Sequence, residues 1–181
     1  MKHIPLAIAL LICTAPVFAH KIIGIADGDT LTLLVDRQPL KIRLANIDAP
    51  EKAQAFGQRA KQSLSDLCWG KDATYKAQTV DRYGRTVAVV TCAGVEANRA
   101  QVERGMVWVY DRYNQDSTLP ALQLAAKSAR RGLWADKAPI PPWEFRHSST
   151  EHADGQPDST CLTGPRGGHY QIVNGKKRYG C

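Results

Sequence analysis

Three features of the chain predict an α+β fold. Alternating apolar residues crowd into 21–46 and again into 73–92. Helical spacing occupies 57–69, 95–104 and a stretch beginning near Thr118. Turn-forming residues punctuate the strand-like runs at 36–39 and 83–84.

The chain opens with Met1-Lys2-His3 and an apolar run, Ile4 to Phe18, that ends in Val17-Phe18-Ala19. This is the pattern of a secretory signal cleaved after Ala19. The run is short for a membrane span and nothing comparable follows. Removing residues 1–19 takes away Lys2, Cys13 and no acid, so the formal charge of +7 becomes +6 over the remaining 162 residues. That length fits one domain with a sizeable core. A basic exported protein suits nucleic acid, acidic polysaccharide or anionic lipid, and charge alone does not choose among them.

Residues 21–51, KIIGIADGDTLTLLVDRQPLKIRLANIDAPE, read as three short strands. Ile25, Leu31, Leu33 and Val35 share a parity with Asp29, which places that carboxylate at the rim of an apolar face. Gly28 is the expected site of a bulge. Asp36 to Pro39 is a turn, and Leu40 to Asn46 alternates Leu40, Ile42 and Leu44 against Lys41, Arg43 and Ala45. Pro50 stops the ladder behind Asp48 and Ala49. A helix follows over 57–69, with Ala60, Leu64, Leu67 and Cys68 on one face. Ala73 to Thr79 and Arg85 to Cys92 are strands joined at Tyr83-Gly84, which puts Arg85 at a strand start. Two more helices are expected, Val95 to Arg104 and one from Thr118 that carries Leu122, Ala126, Ala129 and Leu133 inward. Arg130 and Arg131 would lie in the last turn of the second, closed by Gly132. The sum is an OB-like five-stranded β-barrel packed against about three helices.

Pro139 to Trp143 marks the end of this domain, taken as 20–146. The polar stretch 147–160 reads as a linker. Residues 161–181 form a basic tail of charge +4, from Arg166, Lys176, Lys177 and Arg178. Tyr170 and Ile172 alternate towards Asn174-Gly175, a strong hairpin signal. The four cysteines left after export allow three pairings. Cys68 closes a helix and Cys92 ends a strand at the core edge, while Cys161 and Cys181 bracket the small hairpin. That placement favours Cys68–Cys92 and Cys161–Cys181.

Asp29, Asp48, Glu51 and Arg43 gather within about thirty residues, and three carboxylates held together call for a compensating cation. An all-oxygen set suits calcium or, second, magnesium, and the lack of His and Cys argues against zinc. Taken singly, Asp27 to Thr30 would pass as a turn and Asp48 to Glu51 as a helix cap. Asp81-Arg82-Tyr83-Gly84-Arg85 downstream changes that balance.

Together, Asp27-Gly28-Asp29-Thr30, Arg43-Leu44 with Asp48-Ala49-Pro50-Glu51, and Asp81 to Arg85 resemble the staphylococcal (thermonuclease) nuclease family. Asn98, Gly105, Tyr113 and Gly132-Leu133-Trp134 extend the likeness, which covers roughly 21–143. The resemblance implies an OB-like barrel and a calcium-dependent, sugar-nonspecific nuclease that leaves 3′-phosphates. It implies one calcium ion on Asp29, Asp48 and the backbone carbonyl of Ala49. Glu51 becomes the general base, and Arg43 and Arg85 a guanidinium clamp on phosphate oxygens. Arg82, Tyr83 and Tyr113 are candidates for contacting the nucleotide. No base-reading motif is present, so the expected partners are DNA and RNA, preferably single-stranded, bound by a monomer in the periplasm or outside the cell. Two other classes fit the composition: a non-catalytic OB-type nucleic-acid-binding module, and a secreted basic interaction protein.

Overall fold

The computed structural model describes residues 19–153, 161–163, 169–173 and 176–179. Apart from Ala19, the stretch read above as an export signal lies outside them.

The first three strands are an antiparallel meander: β1 (His20–Ile25), β2 (Thr30–Val35) and β3 (Gln38–Leu44). Leu31, Leu33, Ile42 and Leu44 point inward and are fully buried, as period-two patterning requires. Asp36 and Arg37 both have positive φ, 48° and 65°, so the β2–β3 turn takes two residues rather than the expected four. The bulge expected at Gly28 lies instead within β1, between Ile22 and Gly24. Gly28 is a point of close approach: a Cβ there would stand 2.6 Å from that of Ala60 and 2.9 Å from that of Ala49. Asp29 therefore sits in the tight β1–β2 loop, just before the strand.

Two segments at Ile47–Asp48 (β4) and Gly57–Cys68 (α1) lead to the long hairpin of β5 (Asp72–Val80) and β6 (Thr86–Cys92). β1 pairs with β5, β5 with β6, and β6 runs parallel to β3 through Ile42–Thr86, Arg43–Val87 and Leu44–Ala88. That last pairing closes a five-stranded barrel in the order β3-β2-β1-β5-β6, the OB-like architecture expected. Sγ atoms of Cys68 and Cys92 bond at 2.08 Å and tie the end of α1 to the end of β6. Cys161 is also disulfide-bonded; its expected partner Cys181 lies outside the described residues.

Val95–Glu96 pairs with β6 as a short strand (β7), so the next helix, α2 (Ala97–Glu103), starts two residues later than periodicity suggests. After β8 (Trp108–Val109) comes α3 (Leu119–Ser128). It stops short of Arg130 and Arg131, because Arg130 adopts φ 50° and turns the chain. Leu133, assigned above to the same helical face, lies in a 3-10 turn at Gly132–Ala135 and packs with Ala126 and Trp134.

A fourth helix, α4 (Pro142–Ala153), was not expected. It begins at a proline, where the missing N–H costs nothing, and runs through the first residues of the stretch read as a linker. In the tail, β9 (Leu162–Thr163), β10 (His169–Val173) and β11 (Lys176–Tyr179) form a small sheet with Tyr170 opposite Tyr179, the hairpin expected. No described helix is long and apolar enough to cross a membrane.

Candidate active site

The loop carrying Asp29 is held from behind by buried amides. Gln101 of α2 donates Nε2 to the carbonyls of Gly28 (2.8 Å) and Ala60 (3.0 Å), and its Oε1 accepts from Ser63 Oγ at 2.6 Å. Asn98 pins the barrel seam in the same way, donating to the carbonyls of Ala45 and Ala88 and accepting from Val90 N–H. These bonds satisfy backbone groups that would otherwise be stranded where the sheet turns into helix. Asn46, at φ 68°, swings the chain out of β3, and β4 then pairs with β8 so that Asp48 faces Trp108 across the ladder.

Four of the anticipated residues meet at this mouth of the barrel. Asp29 is buried; Oδ1 accepts from Thr30 Oγ1 and Oδ2 from Ala49 N–H, both at 2.9 Å. Arg43 Nη2 lies 2.8 Å from Asp48 Oδ1 and 3.5 Å from Asp29 Oδ2, bridging the two carboxylates. Asp48, 2% exposed, has a second cationic partner that sequence reasoning missed. Arg146 of α4 places Nη2 2.6 Å from Asp48 Oδ2 and Nη1 2.6 Å from Glu51 Oε1. Glu51 is fixed through its backbone: its N–H donates to Gln54 Oε1 at 3.0 Å, and its carbonyl packs so closely on Gly57 that a Cβ there would collide.

Burial is the largest influence on Asp48, and it raises the carboxyl above its ordinary range against the opposing hydrogen bond from Arg146. Asp27, whose carboxylate accepts from Asp29 N–H, is pushed up to about 6 by burial and then by the neighbouring charge of Asp29. For Arg43, burial opposes the charge, but Asp29 and Asp48 hold its pKa above the ordinary value. Arg146 is raised likewise by Asp48 and Glu51. The carboxylates thus keep both guanidiniums charged, while burial works against the charge of Asp27 and Asp48.

Arg85 joins from the other side of the seam. Its Nη1 donates to Thr30 Oγ1 at 3.3 Å, the hydroxyl that also donates to Asp29. Asp81 holds Arg85 in its turn at 2.7 Å. Exposed Tyr83 lies beneath the guanidiniums of Arg82 (4.8 Å to the ring centre) and Arg85 (5.5 Å). Tyr113 is exposed in a 3-10 turn, 5.0 Å from Tyr110, which stacks flat on Trp143 of α4 at 5.3 Å. It is linked through these rings to the first turn of α4 and makes no described contact with the carboxylates.

The sequence model described as "Staphylococcal nuclease homologue" matches residues 41–136. An uncharacterized endonuclease of Escherichia coli O157:H7 is 42% identical over 151 residues, covering 81% of this chain and 97% of that protein. An uncharacterized endonuclease of Haemophilus influenzae is 44% identical over 127 residues, 70% of this chain and 71% of its own. The micrococcal nuclease of Shigella flexneri is 38% identical over 157 residues, 79% and 90% of the respective chains. The chain belongs to the staphylococcal nuclease family. Nuclease function is what membership of that family supports.

In this family member the donors fit a hard cation by their chemistry. Asp29 and Asp48 are two buried carboxylates spanned by one guanidinium nitrogen, and the backbone of Ala49 is bonded directly to Asp29. Among the described residues no three acidic, His or Cys side chains converge on one point, so a cation here would need backbone and water oxygens to complete its shell. Arg146 had no signal in the sequence, because 98 residues separate it from Asp48 and its helix lacks apolar periodicity. Thr30 and Gln101 were likewise unflagged. A polar residue on the inner face of a strand or of a helix is the trace that would have found them.

Proposed function

We propose that this protein is an exported, calcium-dependent, sugar-nonspecific nuclease. It hydrolyses phosphodiester bonds of DNA and RNA, preferably single-stranded, as a monomer, and leaves 3′-phosphates. One observation carries the reading: Arg43 bridges buried Asp29 and Asp48 in the same cluster that holds Glu51, with Arg85 one hydroxyl away.

Asp29, Asp48 and the carbonyl of Ala49 would hold the ion, which when bound supplies positive charge to a phosphate oxygen and orients water. Glu51 accepts the proton of the attacking water. The water oxygen bonds to phosphorus, the bond to the 5′-oxygen breaks with its electron pair, and that oxygen takes a proton from solvent. Arg43 and Arg85 donate paired hydrogen bonds to the equatorial oxygens as charge builds there; a lysine has no such fork. Tyr83 and Arg82 border the path of the nucleotide, and Tyr113 offers an open ring for a base.

The test is digestion of single-stranded DNA and of RNA with calcium, and again with chelator. Both substrates should be cut in calcium and neither in chelator. Glu51→Gln should lower turnover by about 10²- to 10⁴-fold while substrate binding survives. A variant that digests at the wild-type rate would remove Glu51 from the mechanism.

A further inference from the structure

The contact between α4 and the carboxylates is more than a surface ion pair. Asp48 is shared by two guanidiniums: Oδ1 takes Arg43 at 2.8 Å and a longer bond from Arg146 Nη1 at 3.5 Å, while Oδ2 takes Arg146 Nη2 at 2.6 Å. The two arginines are not equivalent. Arg43 is fixed in a barrel strand, 16% exposed, and reaches across to Asp29. Arg146 is 44% exposed, comes from a helix after the last barrel element, and spans Asp48 and Glu51 with two bonds of 2.6 Å. Its guanidinium thus lies between the residue read above as a cation ligand and the residue read as the base, the span an attacking water must enter.

The first turn of α4 is seated on aromatic rings. Trp143 stacks on Tyr110 at 5.3 Å and meets Trp108 edge-on at 5.7 Å. Phe145 lines an open cleft of about 230 Å³ with Pro50, Gln54, Phe56, Trp108 and Ile140.

We propose that Arg146 is an internal counter-cation that competes with calcium for Asp48 and Glu51, so that α4 acts as a latch displaced when calcium binds. The reason is charge. Asp29, Asp48 and Glu51 face Arg43 and Arg146, three negative groups against two positive ones. A divalent ion beside Arg43 balances the three carboxylates by itself. With Arg146 still in place it would meet like charge at close range and an oxygen already engaged. The inference rests on reading Asp48 as a calcium ligand.

Calorimetric titration of calcium into the mature protein, without substrate, tests it. Arg146→Ala and Arg146→Gln should each bind calcium about tenfold more tightly than wild type, as loss of a competing charge-assisted pair implies. Hydrogen exchange on the wild type gives a second reading that needs no variant. Adding calcium should protect the amides of 26–51 and speed exchange in 143–147. Unchanged or weaker calcium affinity in both variants, or a first turn of α4 that calcium protects, overturns the latch while leaving the calcium reading intact. If the wild type and both variants all fail to bind calcium, the calcium reading falls and the latch with it.

Discussion

Two arginine–carboxylate groups flank the barrel seam, and they respond to their surroundings in opposite ways. Asp81 takes three hydrogen bonds from its own turn: Tyr83 N–H, Arg85 N–H and Arg85 Nε. Burial tends to raise it, yet the bonds from Arg85 hold its carboxyl below the ordinary value. Asp48 has two guanidiniums on its two oxygens and is nevertheless raised, because burial outweighs them. The number of cationic partners does not decide the outcome; depth does. The shallow group is complete in five residues and needs nothing further. The deep one is assembled from β3, β4 and α4, and burial still works against the charge of its central carboxylate.

The largest test of that contrast is catalytic and structural at once. Arg43→Lys and Arg85→Lys should each lower turnover by about 10²- to 10³-fold, since each removes a forked donor from the transition state. Their alanine variants should part company in stability. Arg43→Ala leaves buried carboxylates uncompensated and should cost about 3 kcal/mol, whereas Arg85→Ala should cost under about 1 kcal/mol. Urea denaturation of the two in chelator measures the difference. Equal losses would mean that the two groups do not differ in depth as described.

The disulfide comes next. Cys68–Cys92 joins α1, which backs the Asp29 loop, to β6, which follows directly on Arg85. With the two cysteines separated by 24 positions in the sequence, replacing both by serine should cost about 2–4 kcal/mol. The deep cluster depends on the whole barrel, so its proton resonances should shift as the variant nears its denaturation midpoint. The Asp81 turn should hold its chemical shifts longer. Loss of both together would show that the turn is not the self-contained unit its bonds suggest.

Much of the deep site was legible because its parts are close in the chain. Asp29 and Arg43 belong to the β1–β3 meander and Asp48 and Glu51 follow directly after it, so nearness along the chain groups them before any long-range contact is known. Arg85 was legible because a hairpin fixes it at a strand start. What escaped was set by contacts that leave no local pattern. Arg146 reaches Asp48 from a helix seated by stacking of Trp143, at the end of the expected domain and just before the stretch whose composition reads as linker. Gly28 looked like a bulge because alternation says nothing of Ala49 and Ala60 packing against it. The end of α3 moved because Arg130 takes a left-handed conformation that its residue type does not announce.

The smallest effect sharpens the contrast from the shallow side. Asp81 has a folded pKa below its ordinary value of 3.8, so the folded state binds its proton less readily than the unfolded state does. Stability from this group is therefore fully present above about pH 4 and is lost as the pH falls through the depressed value. Asp81→Asn removes the charge at every pH. The wild type should exceed the variant by under about 1 kcal/mol at neutral pH, the range for a solvent-screened pair. That margin should close below about pH 4, as the carboxylate is protonated and the two side chains become equally neutral. Thermal unfolding of both proteins across that range, in chelator to keep calcium out of the comparison, reads the margin directly. A margin that stays constant into acid would assign the effect to the neutral geometry of the turn, and the charge of Asp81 would then contribute nothing to holding Arg85 at the seam.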